Sequence, residues 1–245
     1  MVRCFDKGVH GSIQCRQAQC SRQEVGLERN QQLDERILSI QEPDAFHIVD
    51  DSGRPSRGCD QDWYGSEWQR ASGCGPSVAS GILYYLHRTK RIHLPFDVDG
   101  KSDCIGLMES VWKHVTPTSN GVDTVERFRT GVQDFARSIG QALLCRTLEI
   151  PSKKADRPDL GEMTRFLASG LRLDCPVAFL NLSSGRVRKI ESWHWMTIVA
   201  LKTGPESDDA QSLIFDGTAS IWIDLAKWHA TSALGGGFVY FESVG

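Results

Sequence analysis

Long hydrophobic runs are missing from this 245-residue sequence. Its longest apolar stretches, such as WMTIVAL and PVAFL, are far too short to cross a bilayer, and residues 1–15 lack the apolar core of a secretory signal. A long basic run is also missing, and the formal net charge of -3 gives no reason to expect nucleic acid as a partner. These absences predict a soluble, cytoplasmic protein with no membrane span.

Internal repeats and low-complexity segments are absent as well, so the sequence is that of an ordinary globular protein. Hydrophobic residues make up 40% and charged residues 24% of the chain. The 8 cysteines are too sparse for an extracellular disulfide framework and are expected to stay reduced in a cytosolic chain. Each cysteine is therefore a small buried hydrophobe, a metal ligand or a nucleophile.

The first 20 residues form a head that carries Cys4, His10, Cys15 and Cys20. Thiolate and imidazole are the donors that a tetrahedral zinc site uses, so these four side chains are a candidate zinc site. Their spacing contains no Cys-x-x-Cys pair, and the alternative is an extension without metal. The catalytic chemistry considered below requires no cofactor.

Residues 21–61 are interpreted as a helix plus a linker. Ser21 and Glu24 match a capping box, and Leu33, Ile37 and Ile40 recur at helical spacing. The polar stretch VDDSGRPSRGCDQD that follows is typical of a loop. The main domain is expected to cover residues 62–245.

Helices dominate the first half of that domain, and short strands dominate the second half. Helix patterns cover Gly73–His87, DCIGLMESVWKHV, GVDTVERFRTGVQDFARSIG and DLGEMTRFLASGL. Strand patterns cover ALLCRTLEI, CPVAFLNL, HWMTIVAL, SLIFDG, SIWIDL and GGFVYFE. This order predicts an α+β fold in which helices pack on an antiparallel sheet.

Cys74 lies in SGCGPSVAS, at the expected beginning of a helix. The positive end of the helix dipole and the unpaired amides of the first turn stabilise a thiolate at such a position. Pro76 is compatible with the first turn, and the glycines on either side leave room for a substrate. The competing interpretation is a buried cysteine beside a tight turn.

A nucleophilic thiol needs a base, and His194 opens the apolar strand HWMTIVAL. Asp216 closes the next strand, so an antiparallel pairing of the two strands would bring its carboxylate to the imidazole. Asn181, at the end of PVAFLN, is a rival for this orienting role. The structural alternatives are a strand-end histidine and a turn-initiating aspartate.

The order of these segments resembles the papain-like cysteine peptidases, and more closely the bacterial double-glycine leader peptidases and their relatives. The matching stretches are SGCGPSVAS, HWMTIVAL and IFDGTASIWIDLAKW, within residues 62–242. The resemblance implies Cys74 as nucleophile, His194 as general base and acid, and Asp216 as its orienter. It also implies a glutamine before the cysteine as oxyanion donor. Gln69 is the candidate at five positions instead of the usual six, where Trp68 stands, and Gln61 is a rival.

The predicted function is hydrolysis of a peptide or amide bond in a peptide or protein substrate, through a thioester on Cys74. Two alternatives stay open: an acyltransferase or amidase of the same fold, and a non-catalytic binding module that retains the fold. Four tryptophans near the predicted site belong either to a substrate groove or to the core: Trp63, Trp68, Trp193 and Trp195.

Overall fold

The computed structural model describes residues 36–204 and 209–244, in which three short strands come first, four helices follow, and most strands of the main sheet come last. The helices are α1 (Glu67–Ser72), α2 (Cys74–Arg88), α3 (Lys101–Trp112), α4 (Val125–Ser138), α5 (Leu160–Arg172) and α6 (Leu225–Thr231). The strands are β1 (Arg36–Ser39), β2 (His47–Val49), β3 (Pro55–Arg57), β4 (Leu143–Ile150), β5 (Val177–Asn181), β6 (His194–Thr203), β7 (Ala210–Asp216), β8 (Ala219–Asp224) and β9 (Gly236–Ser243). The predicted α+β class, with helices packed on an antiparallel sheet, is confirmed.

The main sheet is antiparallel and has the strand order β4-β9-β5-β6-β7-β8. Strand β6 is central: β5 pairs with its first half, β1 pairs with its second half on the same edge, and β7 occupies the other edge. Helices α2 and α5 both pack on β6. Because both faces of β6 are covered, its sequence shows a continuous apolar run instead of an alternating pattern.

Helix α2 is the buried helix of the fold. Leu83, Tyr85 and Leu86 are each 0% exposed, and apolar residues surround most of its circumference. A helix that is hydrophobic on nearly all sides is stable only inside a core, so α2 is held by contacts with the sheet and with α3. This packing fixes the position of its first residue, Cys74.

The segment from 36 to 61 differs from the expected helix and linker. Arg36–Ser39 is a strand, not the end of a helix, because it pairs with Thr203–Ala200 of β6. Ile37 is 61% exposed whereas Ile40 is 1% exposed, so the two residues do not share a face. Ser21, Glu24 and Leu33 lie outside the described residues.

The predicted linker also contains ordered structure, since β2 and β3 pair as an antiparallel hairpin. Phe46 and Ile48 are each 1% exposed and join the same core as α2. The described residues before and after residue 62 belong to one compact unit, so the boundary predicted there does not coincide with a break in packing.

In the described residues, none of the helices combines the length and the apolar character that crossing a membrane requires.

Candidate active site

Cys74 is the first residue of α2, and only Gly73 separates it from the last residue of α1. Ser66 caps α1: its hydroxyl accepts from the Gln69 amide, and the Gln69 side chain accepts from the Ser66 amide. The first helical hydrogen bond of α2 runs from the Ser77 amide to the Gly73 carbonyl oxygen, at 2.9 Å. The amides of Cys74 and Gly75 precede it in the turn where helices lack internal acceptors.

Both glycines beside Cys74 are required by close packing within the protein. A Cβ at Gly73 would lie 2.4 Å from the Gln69 carbonyl oxygen and 2.7 Å from the Tyr64 ring. A Cβ at Gly75 would lie 2.9 Å from the Val122 side chain. The glycines therefore let α2 begin directly against α1 and the 119–123 loop, in addition to any role in admitting a substrate.

His194 and Asp216 meet where β6 begins and β7 ends. Because the two strands are antiparallel neighbours, the first residue of one lies near the last residue of the other. The His194 Nε2–H donates to both carboxylate oxygens, at 3.0 Å to Oδ1 and 2.9 Å to Oδ2. Nδ1 is the ring nitrogen that remains, and Cys74 lines the same cavity as His194 and Asp216.

These contacts favour the charged form of His194. Burial alone would lower its pKa, but the hydrogen bonds to Asp216 and Cys74 and their negative charge outweigh burial and raise the pKa to about 10. A free imidazole titrates near 6.5. The stabilisation from charged His194 is therefore complete below about pH 6.5 and is lost as the pH rises through about 10.

Two cavities adjoin Cys74. The first, of about 270 Å³, is lined by Cys74, His194 and Asp216 together with the 57–62 segment and Glu191. The second, of about 310 Å³, is lined by Cys74, Trp68, Trp193 and the 119–123 loop. Cys74 is thus reached from both sides, as a residue that reacts with an extended substrate requires.

The two candidate glutamines are in different surroundings. Gln69 Nε2 donates to both carboxylate oxygens of Glu109, at 3.0 and 2.9 Å, and Gln69 lines neither cavity beside Cys74. Gln61 lines the first cavity with Cys74 and uses Nε2 to donate to the Arg70 carbonyl at 3.0 Å. Its buried Oε1 has no partner among the described residues. The structure therefore brings Gln61, and not Gln69, to the cavity of the thiol.

Asn181 anchors the loop that precedes His194 instead of contacting the imidazole. Its Nδ2 donates to the Ser184 hydroxyl and to the Glu191 carbonyl, and its Oδ1 accepts from the Trp228 indole at 2.8 Å. Asn181 is 0% exposed, so its side chain depends on these protein groups and not on water for its hydrogen bonds. The side chain that holds His194 is Asp216.

Replacing Asn181 with alanine is expected to lower the free energy of unfolding by about 2–4 kcal/mol, because buried donors and acceptors lose their partners and a void forms. Urea denaturation measures this change. Asn120→Ala is the matched control, since that side chain is exposed, and its expected effect is below about 0.5 kcal/mol. Equal midpoints for the two variants would contradict the anchoring role.

The 57–62 segment is a part of the site that the sequence analysis assigned to a linker. It lines the first cavity, and its Asp60 side chain accepts from the Asp62 amide at 3.0 Å. Burial raises the pKa of Asp60, and the negative charges of Asp62 and Asp216 act in the same direction. The cavity is therefore acidic, with Arg57 as a nearby cation. The sequence feature that could have indicated this role is the polar loop with glycine and proline just before the predicted domain, because loops frequently carry binding residues.

The described cysteines other than Cys74 are free and differ from it in setting. From their apolar contexts in the sequence, core packing is expected for Cys104, Cys145 and Cys175. Cys104 is 0% and Cys175 2% exposed, whereas Cys145 is partly exposed. A hydrogen bond with Cys104, together with burial, raises the pKa of the Cys59 thiol. Cys4, His10, Cys15 and Cys20 lie outside the described residues, so the zinc site stays a prediction. Within residues 36–204 and 209–244, no group of three or more His, Cys, Asp or Glu is placed to hold a metal.

Comparison with known proteins bears on the fold. No protein-family model matches the sequence, and no curated protein matches it. Among solved structures, the chain is similar to UfSP from C. elegans, a papain-like cysteine protease, with a TM-score of 0.51 at 10% sequence identity. The fold is papain-like. The match covers 88% of this chain and 36% of the UfSP chain, so this chain spans about a third of that protein's length.

The papain-like fold agrees with the arrangement that the sequence resemblance implied, a helix that begins with cysteine packed on an antiparallel sheet that carries histidine. At 10% identity the similarity extends to the fold alone. The assignment to the double-glycine leader peptidase group stays a prediction.

Proposed function

We propose that this chain is a cysteine peptidase-like hydrolase in which Cys74 is the nucleophile, His194 the general base and acid, and Asp216 the residue that orients His194. The observation that carries the proposal is that Nε2 of the His194 ring bonds to Asp216. Nδ1 is then the ring nitrogen available to the Cys74 sulfur in the cavity that both residues line. In neutral His194 the proton then resides on Nε2, so Nδ1 can accept the thiol proton.

In the first half of the reaction, His194 holds the proton of the thiol, since its charged form is favoured at neutral pH, and the sulfur attacks the carbonyl carbon of an amide. A C–S bond forms and the carbonyl oxygen becomes an oxyanion. The amide of Cys74, at the positive end of α2, is one donor to that oxyanion. Gln61 is the second candidate, because Nε2 carries two hydrogens and the Arg70 carbonyl uses one.

The C–N bond then breaks as His194 returns its proton to the leaving amine, and a thioester remains on Cys74. Water loses a proton to His194 and attacks the thioester, which releases a carboxylic acid and restores the thiol. The released amine is a cation at neutral pH. Asp60, Asp62 and Glu191 around the first cavity favour a cation on that side.

Two alternatives from the sequence analysis share parts of this proposal. In an acyltransferase or amidase the same thioester forms, and the acceptor or the product differs. A non-catalytic binding module would retain the fold without an activated thiol. Product analysis separates the first alternative, and thiol reactivity separates the second.

The proposal predicts rapid alkylation of Cys74 by iodoacetamide at pH 7. With the pKa of His194 at about 10, the imidazole is charged at this pH and stabilises a thiolate beside it. The rate constant is expected to exceed that of free cysteine by about tenfold, and His194→Gln is expected to remove this advantage. Peptide mapping by mass spectrometry measures the rate at each cysteine.

Cys145 serves as an internal control for accessibility, since it is also partly exposed. Burial raises the pKa of its thiol to about 12, so it is expected to react slowly at pH 7. An alkylation rate of Cys74 no higher than that of free cysteine would contradict the proposed hydrolase.

A further inference from the structure

The second cavity beside Cys74 contains an unusual pair of tryptophans. Of the 7 tryptophans in the chain, all within the described residues, only Trp68 and Trp193 are more than half exposed, at 52% and 54%. Both line this cavity. Single exposed apolar residues are common on soluble proteins, but two large aromatic side chains around one cavity are a feature of binding sites.

The backbone at Trp193 supports the same conclusion. Trp193 has a φ of +59°, in the left-handed region that bulky residues rarely adopt. A glycine would be the relaxed choice for the turn before β6. A tryptophan held in this conformation next to the proposed catalytic histidine is the kind of strain that is retained at functional sites.

The part of the cavity lining formed by Trp195 and the 119–123 loop is held in place by contacts within the protein. The Trp195 indole donates to the Val122 carbonyl and stacks on Phe128, with ring centroids 4.1 Å apart. Thr118 and Gly121 exchange backbone hydrogen bonds of 3.0 and 2.9 Å, which close the turn that carries Ser119 and Asn120. A preformed lining that includes two exposed aromatic rings suits a large apolar side chain, and Asp123 is the carboxylate in that lining.

The two cavities are distinguished by His194. The first cavity is lined by Cys74 and His194, whereas the lining of the second, within the described part of the chain, includes Cys74 but not His194. The leaving amine must receive its proton from His194. The leaving group therefore belongs on the side of the first cavity, and the acyl part of the substrate belongs on the side of the second.

We propose that the cavity between Trp68 and Trp193 is the specificity pocket for a large apolar side chain, on one of the two residues that precede the attacked carbonyl. This inference rests on the proposed function for its orientation. It names the substrate class: peptides with an aromatic or large aliphatic side chain on one of the two residues before the scissile bond.

The test uses three acetylated dipeptidyl chloromethyl ketones with the sequences Phe-Gly, Gly-Phe and Gly-Gly. Each alkylates a thiolate by forming a C–S bond and releasing chloride. For wild type, one of the two phenylalanine probes is expected to inactivate Cys74 at least about tenfold faster than Gly-Gly. The selectivity ratio within each protein cancels any change in the reactivity of the thiol itself.

Trp193→Gly is the main variant, because glycine tolerates the positive φ and the protein is expected to remain folded. Trp68→Ala, in an exposed position of α1, is the second variant. In both, the selectivity ratio is expected to fall about tenfold. Trp222→Ala is the matched control, since this partly exposed tryptophan lines a different cavity, and its ratio is expected to equal that of wild type.

A binding measurement separates the pocket from the chemistry. The amides of the three dipeptides are titrated into Cys74→Ala, and the fluorescence of the exposed tryptophans is recorded. Saturable binding of a phenylalanine peptide and none of Gly-Gly supports the pocket even where the thiol proves unreactive. Equal inactivation by all probes, or a ratio unchanged in both tryptophan variants, overturns the inference.

Discussion

Replacing His194 with alanine is expected to reduce the turnover of a peptide substrate by about 10³-fold or more, mainly in kcat. In the proposed mechanism the variant loses the group that takes the thiol proton and protonates the leaving amine, while Cys74 and the rest of the lining of both cavities remain. His93→Ala is the matched control, because His93 is exposed and follows the far end of α2. A His194→Ala enzyme with more than about a tenth of the wild-type rate would contradict the assigned role.

Asp216→Asn extends the same prediction to the pH profile. The carboxylate is one of the groups that raise the pKa of His194 to about 10. Removing its charge lowers that pKa, so His194 loses its proton at a lower pH, and the basic limb of the activity profile is expected to move to lower pH. A profile that keeps its basic limb would show that Asp216 does not act through the imidazole.

The sequence was informative wherever a local pattern alone determines the structure. The strands of the second half were predicted because each carries a short apolar run between turn residues, and β6 has the longest such run. The helix at Cys74 was predicted from its glycine-proline beginning and apolar continuation. The meeting of His194 and Asp216 then required only that two consecutive strands be antiparallel.

Strand β1 was missed because its conformation depends on a partner more than 160 positions away. Arg36–Ser39 carries no signal that distinguishes it from the end of a polar helix, and its pairing with β6 decides the outcome. Apart from Gln61, the 57–62 segment was missed for a related reason. Its place in the site is set by packing of the β2–β3 hairpin on the core, which composition does not encode.

The loop from Leu182 to Trp193 connects the fold to both sides of the candidate site. It contributes Glu191 to the first cavity, and Leu182 and Trp193 to the second. Asn181 fixes the loop by bonding to the Glu191 carbonyl and the Ser184 hydroxyl. The stability that Asn181 contributes and the specificity proposed for Trp193 therefore depend on the same ordered loop.

The assignment of Gln69 shows how one local motif can redirect a side chain. Ser66 and Gln69 have the S-x-x-Q spacing of a capping box, which the sequence already displays and the structure contains. A glutamine engaged in capping and in bonds to Glu109 is not available to an oxyanion at Cys74. The rival Gln61 shares the cavity with the thiol, and its Nε2 keeps one hydrogen after donating to the Arg70 carbonyl.

Gln61→Ala is therefore expected to reduce kcat by about 10²-fold, the loss that removal of one oxyanion donor typically causes. KM should change little, because the donor acts on charge that develops after binding. Gln61→Glu is the companion variant, since it keeps the size of the side chain and replaces the donor with a carboxylate. Its kcat is expected to fall at least as far.

Gln69→Ala is the matched control, with the opposite expected pattern. It loses the capping box and the contact with Glu109, so the free energy of unfolding should fall by about 1 kcal/mol while kcat stays within about threefold of wild type. Steady-state kinetics and urea denaturation on both variants separate the two effects. If Gln69→Ala loses kcat and Gln61→Ala does not, the oxyanion would be held from α1, and α1 would have to move from its present contact with Glu109 during catalysis.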